Sequence, residues 1–301
     1  MTNETVLHTR DVERDVRELG ATLGEVLETQ TSRSAFELVE SVRTEAIGYR
    51  RGDVDSRDGI RRTLSDLRGG ESSVVARAFA TYFELVNVAE ERERVRAIRE
   101  REAAGTLLDS IPAAVERLAE AGADAGTVEA VLDDVLIEPT FTAHPTEARR
   151  KTVKSKLRTI ADRLETLDEH RLTDKEREQV WRDVVAEVTS LWQTPQVRKR
   201  RPEPQDEARN VQWYLENTLF DVVGEVYDEL EDALAASGLD VDVPTLFRFR
   251  SWAGGDSDGN PFVTPDVTDE TLSRQRAVAV SRFSAELRRL SGVLSQDGER
   301  I

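Results

Sequence analysis

The 301-residue sequence contains no cysteine, which excludes a disulfide framework, a thiolate nucleophile and a cysteine-ligated metal. Its chemistry must come from carboxylates, arginines, hydroxyls and three histidines, His8, His144 and His170. No stretch approaches the ~20 apolar residues that span a bilayer, and Thr2 to Asp15 is too polar for a secretory signal. The expectation is a cytoplasmic protein with no membrane partner. Lysine is scarce: Lys151, Lys154, Lys156, Lys175 and Lys199 are all there are, so the first 150 residues have none. Length sets no such limit, since a chain of this size can bury the core of one large domain or two ordinary ones.

What the chain has in excess is negative charge. With 59 acidic against 42 basic residues the net charge is −17, a field that repels nucleic acid, which is not expected as a partner. An acidic, lysine-poor surface suits a salt-rich cytoplasm, where carboxylates hold hydration and screening removes their mutual repulsion. The composition is read as that of a halophilic archaeon's protein. A GC-rich genome, which favours Arg over Lys, gives an ordinary acidic protein with the same bias.

Apolar residues at helical spacing (Val12, Val16, Leu19, Leu23, Val26, Leu27) predict an amphipathic helix. Phe36, Val39, Val42, Ala46 and Ile47 repeat the pattern, and Val74 to Ala89 reads as a third, more buried helix. The first 130 residues therefore read as all-helical, punctuated by turns at Gly52-Asp53 and Gly69-Gly70. From Asp134 the texture changes, and Val135 to Thr142 predicts a short buried strand. Pro145 suits the first turn of a helix, which makes His144 its N-cap and places Glu147 in that turn. Helices are expected on to Leu167, from Asp174 to Trp192, and through Val211 to Leu230, with Arg198 to Pro204 as a basic connector. Leu246 to Trp252 reads as a second strand, broken by Gly254-Gly255, and a last helix runs through Val280, Phe283, Leu287 and Leu290.

Two loops at strand ends carry the chemistry. His144, followed by Arg149, Arg150, Lys151 and Lys154, suits a proton acceptor facing an anionic substrate. An N-capping histidine beside a solvated basic face fits the same local sequence. His8 and His170 lie among charged residues and read as surface positions. In the second loop, Gly254 to Pro261, three glycines let the backbone approach a ligand, while Asp256, Asp258 and Asn260 offer polar groups. A calcium loop fails on spacing, because Gly259 is fourth from Asp256 and the twelfth position is Val267. A plain Asx-rich turn remains open.

Together the loops resemble the signatures of phosphoenolpyruvate carboxylases: Thr-Ala-His-Pro-Thr-Glu followed by basic residues, here Thr142 to Arg150, and Gly-Gly-Asp-Arg-Asp-Gly-Asn-Pro, here Gly254 to Pro261. ARAFATYFELVNVAEERERVR at 76–96, LWQT at 191–194 and PQDEAR at 204–209 also look familial, so the resemblance runs from about Val75 to Thr264. It implies an enzyme that forms oxaloacetate and phosphate from phosphoenolpyruvate and bicarbonate, feeding the tricarboxylic acid cycle and using magnesium. His144 matches the family's catalytic histidine. Arg149, Arg150, Asp256, Asp258 and Asn260 are the expected substrate-binding residues, and the metal ligands are expected outside this sequence. The implied fold is mainly α, a helix-rich amino-terminal region over 1–130 and, over 131–301, the first strands of an incomplete (β/α)8-barrel-like domain. The family's assembly, a homotetramer, is implied for the complete enzyme.

Two departures limit the carry-over. The family's arginine in the second loop is Ser257 here, removing a cation that could hold an anion. With two strands of an eight-stranded barrel before Ile301, the chain is expected to be a fragment, inactive alone. The competing expectation is a non-catalytic remnant or helical interaction module.

Overall fold

The structure is a computed structural model that describes residues 7–142, 150–169, 171–196 and 202–294. Among them the order is α1 (Val12–Gln30), α2 (Arg33–Arg51), α3 (Asp58–Ser65), α4 (Gly70–Ala103), α5 (Ile111–Glu120), α6 (Ala125–Asp133), β1 (Thr140–Phe141), α7 (Lys151–Asp168), α8 (Asp174–Gln193), α9 (Pro204–Tyr214), a π-helical turn (Leu215–Leu219), α10 (Phe220–Ala236), β2 (Arg250–Ser251) and α11 (Pro265–Val293). The fold is mainly α. No described helix is long and apolar enough to cross a membrane. Two compact units form, Met1–Thr106 with Arg149–Arg198, and Leu107–Ala148 with Lys199–Ile301. In the first unit α7 and α8 bury their apolar faces in one core with α1, α2 and α4.

In the first unit α1, α2 and α8 start where a side chain satisfies a terminal N–H. Asp11 accepts from the Arg14 N–H at 2.7 Å, and Thr173 and Glu176 close a reciprocal capping box on α8. Gly52, at φ +80°, ends α2 in the left-handed conformation that a side chain would resist. The periodic apolar face of α1 buries Leu19, Leu23, Val26 and Leu27 against Leu85 and Val88 of α4, Ile160 and Leu164 of α7, and Val184 and Val188 of α8. Along α4 the buried stripe Ala78, Thr81, Leu85, Val88 continues into Arg92 and Arg96. Arg96 donates to Asp15 at 2.7 Å and to Asp168 at 2.9 Å, and Arg10 donates to Asp15 at 2.6 Å. Arg96 and Asp15 are 2% and 0% exposed, so an ion-paired knot lies inside a helical core. His8, expected at the surface, is half-buried with Nε2 enclosed, because its neighbour Thr9 ties this segment to Leu167 O at 3.1 Å. His170 lies outside the described residues.

In the second unit Val115 of α5, Val128 of α6 and Ala233 and Leu234 of α10 form a small core. Beside them β1 and β2 pair in parallel, Thr140 opposite Arg250 and Phe141 opposite Ser251, with one further bridge from Ile137 to Phe247. The predicted strands are therefore present and shorter than expected. The first is also not buried: Leu136 and Ile137 are 46% and 44% exposed, since a two-stranded ribbon leaves its outer edge without a neighbour. Tyr227 of α10 anchors the second strand, its hydroxyl accepting from the Leu246 N–H at 2.6 Å and its ring lying edge-on to Phe247. The helix expected through Val211 to Leu230 is interrupted at Leu215–Leu219, where the Arg282 guanidinium of α11 takes up the Glu216 carbonyl. Pro204, read as connector, is instead the first residue of α9, where its missing N–H costs nothing.

Candidate functional site

Parallel pairing delivers both chains to the same end of the ribbon. Arg250 N–H donates to Pro139 O at 3.0 Å and Trp252 N–H to Phe141 O at 2.9 Å, after which Thr142 and Ala253 leave the strands together. The second loop then turns sharply. Gly255 and Asp256 both donate their N–H to Trp252 O, and Gly254 sits at φ +80° over α11. A Cβ there would lie 2.3 Å from the Thr271 hydroxyl, so both backbone and space demand glycine. Thr268 donates its hydroxyl to Gly254 O at 2.9 Å, and Gln212 of α9 donates to Thr271 O at 3.0 Å. Thus α9 and α11 fix the loop from beneath.

Within the loop, Gly259 N–H donates to Asp256 Oδ1 at 3.4 Å and Phe262 N–H to Asn260 Oδ1 at 3.1 Å, the local bonding of Asx turns. A hydrogen bond between the two carboxyl groups raises the pKa of Asp256 and lowers that of Asp258. Ser257, at the departure from the family pattern, is exposed and its N–H donates to Gly255 O at 3.1 Å.

The loop walls a cleft of about 890 Å³ lined by Thr142, Pro202 to Gln205, Glu207, Trp252 to Gly254, Asp256 and Gly259 to Val263. Its described lining carries three carboxylates, Glu203, Glu207 and Asp256, and no cation. An anionic substrate here needs cations from outside this described lining. No three Asp, Glu or His side chains among the described residues converge on a metal position.

Of the expected site residues, Asp256, Asp258 and Asn260 come together in this loop, and Asp256 and Asn260 face the cleft. Arg150 is the half-buried N-cap of α7, in the other unit. His144 and Arg149 lie outside the described residues, as does Pro145, and the helix expected from Pro145 to Leu167 instead begins at Lys151, since the Arg150 backbone before it is extended. Sequence reasoning missed the first turn of α9 as a cleft wall. Its only signal was PQDEAR at 204–209, quoted for family likeness without a role. Gln212 and Thr271 were missed because neither residue type announces itself as the support of a glycine turn.

Comparison with known proteins bears on the whole chain. The sequence model described as "Phosphoenolpyruvate carboxylase" matches residues 12–300. The phosphoenolpyruvate carboxylase of Roseiflexus castenholzii is 39% identical over 289 residues, covering 93% of this chain and 30% of that protein. That of Paraburkholderia xenovorans is 37% identical over 286 residues, covering 94% and 29%. That of Burkholderia vietnamiensis is 36% identical over 285 residues, covering 93% and 28%. The chain spans about 30% of the length of these relatives. On a match from residue 12 to residue 300, the chain belongs to the phosphoenolpyruvate carboxylase family.

Proposed function

We propose that these residues serve as the amino-terminal section of a phosphoenolpyruvate carboxylase, which joins bicarbonate-derived carbon to phosphoenolpyruvate and releases phosphate and oxaloacetate. The observation that carries this is the family match over residues 12–300. The two parallel strands support it, because barrel enzymes build their sites on loops at the carboxyl ends of strands, and both motif loops leave this ribbon there. In this reading residues 131–301 open the barrel-like domain and 1–130 form the helical region before it.

Bicarbonate attacks the phosphoryl group, giving carboxyphosphate and the enolate of pyruvate. His144 takes the proton from carboxyphosphate as it decomposes, and the enolate carbon attacks the carbon dioxide released. Arg149 and Arg150 offset charge on phosphoryl and carboxylate oxygens. The Asn260 amide can donate to a substrate oxygen, while Asp256 and Asp258 orient cationic groups around it. Magnesium belongs to the proposed enzyme, but the described residues do not form its site, so no step here passes through it. The same reading carries a cytoplasmic, homotetrameric enzyme that replenishes the tricarboxylic acid cycle. The charge of −17 supports a halophilic archaeal source.

The test is a chimera of residues 1–300 joined to the remainder of the Roseiflexus castenholzii carboxylase, with oxaloacetate coupled to malate dehydrogenase. Turnover is expected from the chimera with magnesium, phosphoenolpyruvate and bicarbonate, and none from the 301-residue chain alone. A soluble, folded chimera without turnover would overturn the reading in favour of a non-catalytic helical module.

A further inference from the structure

Beneath the cleft, α9 carries a buried stripe at four-residue spacing, Pro204, Ala208 and Gln212. The first two are apolar. The third is a carboxamide, 2% exposed, where helical periodicity calls for another apolar side chain. Its Nε2 donates to Thr271 O of α11 at 3.0 Å, while its Oε1 is enclosed and accepts no hydrogen bond from the described residues. An enclosed acceptor without a donor costs stability that a methionine of similar volume would not incur. Burial therefore does not account for glutamine at this position, and what the side chain adds is the bond to Thr271.

That bond joins two parts of the cleft. At the amino end of α9, Glu203, Pro204 and Glu207 wall the cleft. On α11, the Thr271 hydroxyl fills the space that a Cβ at Gly254 would need, and Thr268 donates to Gly254 O at 2.9 Å. Gln212 lies about 12 Å along the helix from Pro204, so a small rotation of α9 at this point shifts the wall against the loop. One turn further on, Arg282 of α11 donates from Nε to Glu216 O at 3.1 Å. The two ties together fix how α9 and its π-helical extension lie on α11, whereas the Arg282 tie alone would leave a pivot.

We propose that Gln212 is a positioning residue for the reaction: through Thr271 it holds the Glu203 and Glu207 wall at a set distance from the loop of Asp256 and Asn260. Being buried, it acts through the two helices and not on substrate. The proposal rests on the carboxylase reading above. Its test is Gln212→Met, which keeps the volume and the helix propensity and removes the tie. In the 301-residue chain the urea midpoint should be unchanged or higher, because the enclosed Oε1 is gone. Amide exchange over residues 252–258, followed by mass spectrometry, should be at least about tenfold faster, since Gly255 and Asp256 donate to Trp252 O in a turn whose floor has loosened. In the chimera with the Roseiflexus castenholzii remainder, kcat/KM for phosphoenolpyruvate should fall at least about tenfold, the consequence of a misplaced wall. Unchanged exchange over 252–258 would overturn the proposal, as would parent-like kcat/KM in an active chimera. So would a lowered midpoint with faster exchange throughout both units, which would make Gln212 a prop of the fold only. A parent chimera without turnover sinks the carboxylase reading, and the exchange of the 301-residue chain then decides the positioning alone.

Discussion

Arg96 shows how little residue type says about position. ERERVRAIRE at 91–100 reads as a solvated helix surface, yet positions 92 and 96 fall on the stripe of Leu85, Val88 and Ala89 and are buried. Spacing held the information, and hydrophilicity masked it. Burial alone would pull the Arg96 pKa down, but hydrogen bonds to Asp15 and Asp168 hold it above its ordinary value. Such a knot is weak evidence of net stability, whereas breaking it strands a buried charge. Arg96→Ala should therefore lower stability by about 3–5 kcal/mol in urea unfolding of the chain. Arg94→Ala, on the exposed face, should stay within about 0.5 kcal/mol of the parent, and equal effects at the two positions would refute the knot's role. At His144 the issue is whether the side chain takes part in the chemistry. His144→Asn keeps a polar side chain and removes the base, so in the active chimera it should form oxaloacetate at least about a hundredfold more slowly, the low end for losing a general base. Near-normal oxaloacetate formation by the folded variant would remove His144 from the chemistry.

At the scale of elements, the helices were the legible part. The apolar periods of α1, α2 and α4 are long enough to average out local exceptions, and the Gly52 and Gly69 turns carry the positive φ that their glycines suggested. The strands were legible in place and not in burial, since sequence cannot tell whether a third strand stands beside Ile137. The π-helical turn left no sequence signal, because the Arg282 contact that satisfies its Glu216 carbonyl comes from a helix more than sixty residues away. The candidate site divided likewise. Glycines and Asx residues announced the loop, but the Thr271 floor that makes Gly254 obligatory is a tertiary fact. Gly254→Ala should cost at least about 1 kcal/mol for its left-handed backbone alone, measured by denaturant unfolding. Gly254→Ala with Thr271→Ala should recover part of the loss, since it removes the clash and keeps the strain. A single variant as stable as the parent would show that the turn relaxes without glycine.

For the whole molecule, charge decides how stability answers to salt and acid. Burial raises the pKa of Glu18, but hydrogen bonds from Arg10 and Arg14 outweigh it and leave the value below the ordinary 4.5. Glu165 is lowered in the same way, against its own burial, by Arg99 and Arg92. In both, the folded pKa lies under the unfolded one, so their stabilisation is present above about 4.5 and lost as pH falls through the folded values. Melting temperature should therefore drop below that pH. Salt acts on two opposed terms near neutrality. It weakens exposed pairs such as Arg33–Glu37 and Arg182–Glu178, each worth only about 0–1 kcal/mol, and it relieves the mutual repulsion behind a net charge of −17. The buried Arg96 knot is shielded from ions and changes little. Repulsion grows with the square of net charge while the exposed pairs add singly, so relief should win and the folded state should strengthen toward molar potassium chloride. Circular dichroism melts of the chain across a potassium chloride series at pH 7 measure the balance. A rising melting temperature is expected; a flat or falling one would mean that the surface pairs outweigh the excess charge, and would remove the composition's support for a salt-rich cytoplasm.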